Sequence, residues 1–205
     1  MIAIIDYGAG NLFSVQNALD YIGCTAMISG DAEDLQNADR LILPGVGAFP
    51  DAMKMLNESG LTEVIKAEAK KKPLLGICLG MQMLFERSSE FGDTEGLGLI
   101  PGRVELMTPP ELLIPQIGWN RLLMNEPCPI LEGLEDEPGS AAGEPYVYFV
   151  HSYAAVCAGI HVAASTDYGG NVPACVFSGN VYGCQFHPEK SGDVGLKILE
   201  NFARI

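Results

Sequence analysis

A cysteine stands between two glycines in Gly76-Ile77-Cys78-Leu79-Gly80, at the end of an apolar run. A sulfur nucleophile held on a sharp strand-to-helix turn needs small neighbours, and the G-x-C-x-G spacing supplies them in the manner of a nucleophile elbow. Such a turn sets the sulfur at the positive end of a helix, which favours thiolate over thiol. It also aims the backbone N–H of Leu79 at any anion forming beside the sulfur. The chemistry would be nucleophilic catalysis, which requires a base held by a third group. His187-Pro188-Glu189 offers both. Extended geometry puts His187 and Glu189 on one side, and Pro188 stiffens the segment. Glu189 can then hold the imidazole tautomer while the other ring nitrogen faces Cys78. Singly, these residues also fit a buried structural thiol and a hydrogen-bonded structural histidine. Together they favour catalysis.

A third piece is Leu43-Pro44-Gly45-Val46-Gly47-Ala48-Phe49. Its small residues let the backbone approach a ligand closely. An N–H from Val46 or Gly47 would complete an oxyanion hole with Leu79; the alternative is an ordinary glycine-rich turn. No GK[ST] follows, so it is not a phosphate loop, and Asp6-Tyr7-Gly8-Ala9-Gly10-Asn11 lacks the GxGxxG of a dinucleotide site. His151, beside Ser152 and Tyr153, reads as pocket wall. His161 has no acid partner nearby in sequence and reads as structural. The 6 cysteines show no CxxC and no zinc spacing. The expectation is a reduced, cytoplasmic protein with five inert thiols, no metal and no cofactor.

The elements that must position these groups can be read from the patterning. Of 205 residues, 48% are hydrophobic and 19% charged, which suits one domain over 1–205. A formal net charge of −14 argues against nucleic acid or an anionic membrane as partner. No run approaches a membrane span. The opening run, lacking a basic flank, reads as a first strand rather than a signal peptide. "MIAIID", "TAMIS", "RLILPG" and "PLLGI" predict buried strands. "LFSVQNALDYIG", "AMKMLNESG" and "LTEVIKAEAKKK" predict helices between them, and a helix is expected from "GMQMLFERS" after Cys78. Past Gly92 short strands and Gly/Pro turns dominate. "YVYFVHSYAAV" alternates in part, "ACVFSGNVYGCQFHPE" reads as two strands joined at "SGN", and "VGLKILENFARI" closes as an amphipathic helix. Residues 126–145 are expected to form a surface loop. The fold class is α/β, an open, mostly parallel twisted sheet flanked by helices and flavodoxin-like, with added antiparallel strands in the C-terminal half.

With those residues in view, "GICLGMQ" and "QFHPEKS" resemble the class I, triad-type glutamine amidotransferases. Within that family, "DYGAGNL", "LPGVGAF", "GWN" at 118–120 and "YFVHSY" at 148–153 are similar to the glutaminase subunits of imidazole glycerol phosphate synthases, which act in histidine biosynthesis. The resemblance runs the length of the chain. It implies that Cys78 attacks the carboxamide of L-glutamine and that N–H groups at Leu79 and in Pro44–Gly47 hold the oxyanion. His187 would protonate the leaving ammonia and then activate water, oriented by Glu189. Gln82, Glu90, Ser152 and Tyr153 match glutamine-contacting positions. Lys190, with Asn11 and Trp119, falls at the interface and gate. The implied partner is a (β/α)8-barrel cyclase, forming a heterodimer in which ammonia passes without meeting bulk water. The resting glutaminase would be nearly idle until a peptide in Pro44–Gly47 turns to offer its N–H. Two features depart from the family: Gln116-Ile117 replaces its His-Met, and 136–144 is longer. The weighed alternatives are a glutaminase of another synthase (pyridoxal phosphate, anthranilate or guanylate), a cysteine-peptidase-like hydrolase, and a catalytically weakened regulatory subunit.

Overall fold

The computed structural model describes residues 1–134 and 144–205. The apolar runs become the strands β1 (Ile2–Ile5), β2 (Ala26–Ser29), β3 (Arg40–Gly45) and β4 (Leu74–Cys78). Between them lie the helices α1 (Leu12–Tyr21), α2 (Ala32–Asn37), α3 (Phe49–Glu58) and α4 (Thr62–Glu68). All four residues of β1 are buried, and they divide by parity. Ile2 and Ile4 pack with Val15 and Leu19 of α1 and with the C-terminal helix. Ala3 and Ile5 pack on the other face with Leu35, Phe49, Leu56 and Ile65. A strand covered by helices on both faces must be apolar at every position, which is why these strands read as unbroken runs.

After β4 come the short α5 (Leu79–Met83), then β5 (Phe85–Ser88), β6 (Thr94–Glu95), β7 (Ile100–Leu106), β8 (Gln116–Arg121) and β9 (Leu123–Met124). The chain continues through β10 (Tyr146–His151), β11 (Tyr153–Val156), β12 (Val162–Asp167), β13 (Asn171–Ser178) and β14 (Val181–Cys184) to α6 (Gly192–Arg204). The main sheet runs β2-β1-β3-β4-β14-β13-β12-β9. It is parallel from β2 to β14 and antiparallel from there to β9. A four-stranded sheet (β11-β7-β5-β6) and the pair β10-β8 complete the fold. No described helix is long and apolar enough to cross a membrane.

Two expectations need correction. The helix after Cys78 is only five residues long, and "FERS" is a strand. The carbonyls of Met83, Leu84 and Phe85 accept from the N–H groups of Leu97, Leu99 and Gly98 at 2.8–3.0 Å, so the helix cannot continue. The partly alternating "YVYFVHSYAAV" supplies two short strands in two sheets, parted at Ser152. Residues 126–134 are not wholly a surface loop: Cys128, Ile130, Leu131 and Leu134 are buried in the core with α6. Asn201 of α6 fastens that segment by donating to Ile130 O and Glu132 O, at 3.3 and 2.8 Å. The expectation of a longer loop at 136–144 lies, Glu144 aside, outside the described residues.

Candidate active site

Cys78 ends β4 between β3 and β14, with Gly45 as its register partner on β3. It is the N-cap of α5, at φ 56° and ψ −113°. A non-glycine residue rarely occupies that region, and the surrounding backbone must hold it there. Two glycines allow the approach. A Cβ on Gly76 would lie 2.7 Å from Gly80 O and from Met81 Cα, and one on Gly80 would collide with Leu43 O. A Cβ on Gly45 would meet Gly80 N at 2.6 Å, so Gly45 serves the packing of β3 on this turn. Gly47 differs: its φ is +98° and nothing crowds it. The sulfur sits 4.0 Å from Val150 O and 3.9 Å from Gln185 Nε2.

His187 follows β14, two strands from β3, and its ring faces the same sulfur. Nδ1 lies 2.8 Å from Glu189 Oε1, with the two side chains only 4% and 1% exposed. Residues 188–190 form a 3₁₀ turn rather than the extended segment expected, yet the carboxylate still reaches the ring. Ser191 secures the turn by donating to His187 O at 2.6 Å and accepting from Tyr148 N–H at 3.0 Å. Burial opposes the imidazolium. The Cys78 sulfur and the Glu189 carboxylate outweigh it and raise the His187 pKa from 6.5 to about 9.

These groups open onto a cavity of about 420 Å³. Val46, Gly47, Cys78, Leu79 and His187 line it together with Gln82, Glu90, Ser152, Tyr153, Lys190, Pro115, Val150 and His151. Glu189 stands behind His187 and off the cavity. Asn11 and Trp119 are not on it: Asn11 Oδ1 accepts from Ser14 Oγ at 2.8 Å, and Trp119 is 54% exposed, edge-on to Tyr148. Glu90 has a further task, accepting the Phe49 N–H at 2.8 Å and so tying the 43–49 segment across the cavity mouth. His161 lies elsewhere, its Nδ1 3.1 Å from Phe177 O.

Two neighbours of the sulfur were not singled out from sequence. Tyr7 donates its hydroxyl to Pro44 O at 3.0 Å, and burial, with Cys78 adding to it, pushes its pKa up. It therefore anchors the peptide just before Gly45. Tyr7 follows β1 at the carboxyl edge of the sheet, where ligand sites gather, and that position was the available signal. Gln185 precedes His187 by two, in the bend that follows β14, and reaches the sulfur from there.

His151 adds a buried neutral imidazole. Its Nδ1–H donates to Tyr153 O at 2.8 Å, while Nε2 has no hydrogen-bond partner among the described residues. Opposite it in register is Gln116, wholly buried, whose two amide atoms also lack partners among the described residues. Burial lowers the His151 pKa from 6.5 to about 4; the Tyr153 carbonyl opposes this and His187 adds to it. The unfolded chain takes up this proton as pH falls below about 6.5, and the folded chain does so only near 4. The part of the stability that depends on His151 is therefore full above about 6.5, declines between there and about 4 and declines no further below it, by about 3 kcal/mol in all. His151→Asn, which keeps a donor for Tyr153 O, is expected to flatten that part of the profile. Urea midpoints at pH 7, 5.5 and 4.5 would check it; parallel profiles would contradict it.

The family model for glutamine amidotransferase class-I matches residues 3–205, and the chain belongs to that family. It is similar to the imidazole glycerol phosphate synthase subunit HisH of Listeria monocytogenes serotype 4a (strain HCC23), at 48% identity over 207 residues, covering 100% of this chain and 96% of the relative. The subunit of the same name from Geobacillus kaustophilus (strain HTA426) is 50% identical over 212 residues, with 100% and 97% covered. Among solved structures, a glutamine amidotransferase superposes with a TM-score of 0.74 at 22% identity, covering 100% of this chain and 99% of that one. PurLQS from Thermotoga maritima gives 0.74 at 19%, covering 99% and 97%. At those identities the two structures speak for the fold.

Proposed function

We propose that this chain is the glutamine-hydrolysing subunit of an imidazole glycerol phosphate synthase in histidine biosynthesis. The observation that carries the reading is Cys78 and His187 on a small cavity that also gathers Leu79, Val46 and Gly47, with Glu189 behind His187 at 2.8 Å from its Nδ1. The 48–50% identity to HisH subunits over the whole chain supports the choice of synthase.

The geometry suits the following steps. The Cys78 sulfur attacks the carboxamide carbon of L-glutamine, and the carbonyl oxygen becomes an oxyanion beside the Leu79 N–H and the 46–47 backbone. His187, charged and held by Glu189, gives its proton to the departing nitrogen, and ammonia leaves. A thioester remains on Cys78. His187, now neutral, takes a proton from water as it adds to the thioester, and glutamate is released. Gln82, Glu90, Ser152 and Tyr153 hold the amino-acid end of the substrate. Ammonia passes to a (β/α)8-barrel cyclase partner docked near Asn11, Trp119 and Lys190, in a cytoplasmic heterodimer. The cyclase uses it to make imidazole glycerol phosphate and an aminoimidazole carboxamide ribonucleotide.

The test is glutamate release from L-glutamine by the pure chain, alone and with the cyclase and its nucleotide ligand. A low rate alone, rising about 10²-fold or more with both, is expected, as for an oxyanion donor that is supplied on assembly. Glutamate release that ignores this cyclase would assign the chain to another synthase. A high rate alone would mean that the donor is already in place, with Gln116 and Ile117 the first residues to examine.

A further inference from the structure

Two side-chain amides form a chain from the cavity to the sulfur. Gln82 Nε2 donates to Tyr153 O and to Gln185 Oε1, each at 3.0 Å. Gln185 Nε2 then reaches Cys78 Sγ at 3.9 Å. Gln185 is wholly buried, and its backbone N–H is held by Ala174 O at 2.8 Å. The direction of this chain is dictated at one end. A backbone carbonyl only accepts, so Tyr153 O turns the NH2 end of Gln82 toward itself. That NH2 also faces Gln185 and requires its oxygen end. The NH2 end of Gln185 is left for the sulfur. Reversing Gln82 would set its oxygen against two acceptors, and reversing Gln185 would set donor against donor, in each case between two buried side chains. Gln82 lines the cavity. With its nitrogen committed to two acceptors, it offers its oxygen there.

We propose that Gln185 is a positioning residue for the glutaminase reaction: it fixes which end of the Gln82 amide faces the substrate, and it supplies a hydrogen-bond donor to the Cys78 sulfur. The assignment rests on the function proposed above and deepens it. An acceptor at Gln82 Oε1 suits the N–H groups of a bound amino acid and repels its carboxylate. A donor on the sulfur strengthens as the sulfur gains charge, because a thiolate accepts better than a thiol. One buried amide thereby joins substrate orientation to nucleophile readiness.

The test separates the two roles with Gln185→Met, similar in length but with no amide, and Gln82→Met. Alkylation of Cys78 by iodoacetamide, followed by peptide mass across pH, reads the sulfur without requiring turnover. KM and kcat for glutamine are measured on the complex with the cyclase. In Gln185→Met, alkylation at pH 7 is expected to slow about threefold or more with its midpoint moved to higher pH, and KM to rise about tenfold. In Gln82→Met, KM rises while the alkylation profile stays that of the parent. An unchanged profile and KM in a folded Gln185→Met would overturn the proposal. If that variant does not fold, the side-chain amide signals of glutamine-labelled parent decide. The Gln185 NH2 signal must move with the Cys78 titration and stay fixed in Cys78→Ala; a signal that ignores the sulfur overturns the proposal. A parent that alkylates normally but never releases glutamate defeats the glutaminase reading, and the alkylation arm still judges the contact with sulfur.

Discussion

Cys78→Ala is expected to abolish glutamine-dependent synthesis, by about 10⁴-fold or more, while the assembled enzyme continues to make product from ammonium salt. Alanine has no atom to form the thioester, and no other cysteine lines the cavity. Removing a triad nucleophile leaves only what oxyanion donors and binding supply. The substitution should spare the fold. Cys78 is 8% exposed, and its contacts with Gln185 and Val150 are long, at 3.9 and 4.0 Å. Alanine bears the φ of 56° no worse than cysteine. A thermal melt close to the parent's should therefore accompany the loss. The measurement is product formation by the complex with glutamine and with ammonium chloride, side by side. Loss of the ammonia-dependent reaction too would sink the division of labour between hydrolysis here and ring closure in the partner. Retained glutamine use would remove Cys78 from the chemistry.

The parallel half of the fold is legible in the sequence because its strands have no exposed face. β1, β3 and β4 are unbroken apolar runs, punctuated by Gly23, Gly60 and the glycines around Cys78. The rest follows different physics. β8 begins with a buried amide, Gln116, and then exposes Ile117 and Trp119, so its apolar residues point the wrong way for a core strand. It pairs with β10 alone, and only that pairing makes it a strand. The break between β10 and β11 falls at Ser152, with no glycine or proline to mark it. The buried segment at 128–134 is hidden by the acidic residues around it, since composition averages over a turn that α6 has captured.

The site divides in the same way. Cys78 and His187 stand out because the proposed chemistry would place unusual demands on their neighbours, glycines for one and a carboxylate for the other. Tyr7 and Gln185 do not, because what they do depends on atoms brought from elsewhere in the chain: a carbonyl at Pro44, a sulfur at Cys78 and an amide at Gln82. Asn11 and Trp119 show the converse. Resemblance attaches them to the function, but they lie off the cavity.

Gly80→Ala is expected to be the most damaging single methyl group in the protein. Its Cβ would fall on Leu43 O, with Leu43 C at 2.8 Å and Pro44 C at 3.1 Å, all backbone atoms of β3. Alanine has no rotamer to turn away, and β3 lies between β1 and β4 in the middle of the main sheet. Two escapes exist. Either α5 swings off the sheet and takes Cys78 and the Leu79 N–H with it, or the β3–β4 ladder parts at Leu43↔Gly76, Pro44↔Ile77 and Gly45↔Cys78. The first destroys the site and the second the core. The cost is about 3 kcal/mol or more, which lowers Tm by about 10 °C for a chain of this size. Gly60→Ala provides the comparison. Gly60 has a φ of +76° and nothing within 4 Å of a Cβ, so it measures the conformational penalty alone, about 1 kcal/mol. The check is thermal unfolding of both variants beside Cys78→Ala, with glutamate release by whatever fraction folds. Gly80→Ala should melt well below the other two and release no glutamate. If it melts with Gly60→Ala and still hydrolyses glutamine, the turn that presents Cys78 does not require the close approach of β3, and the elbow loses its physical basis.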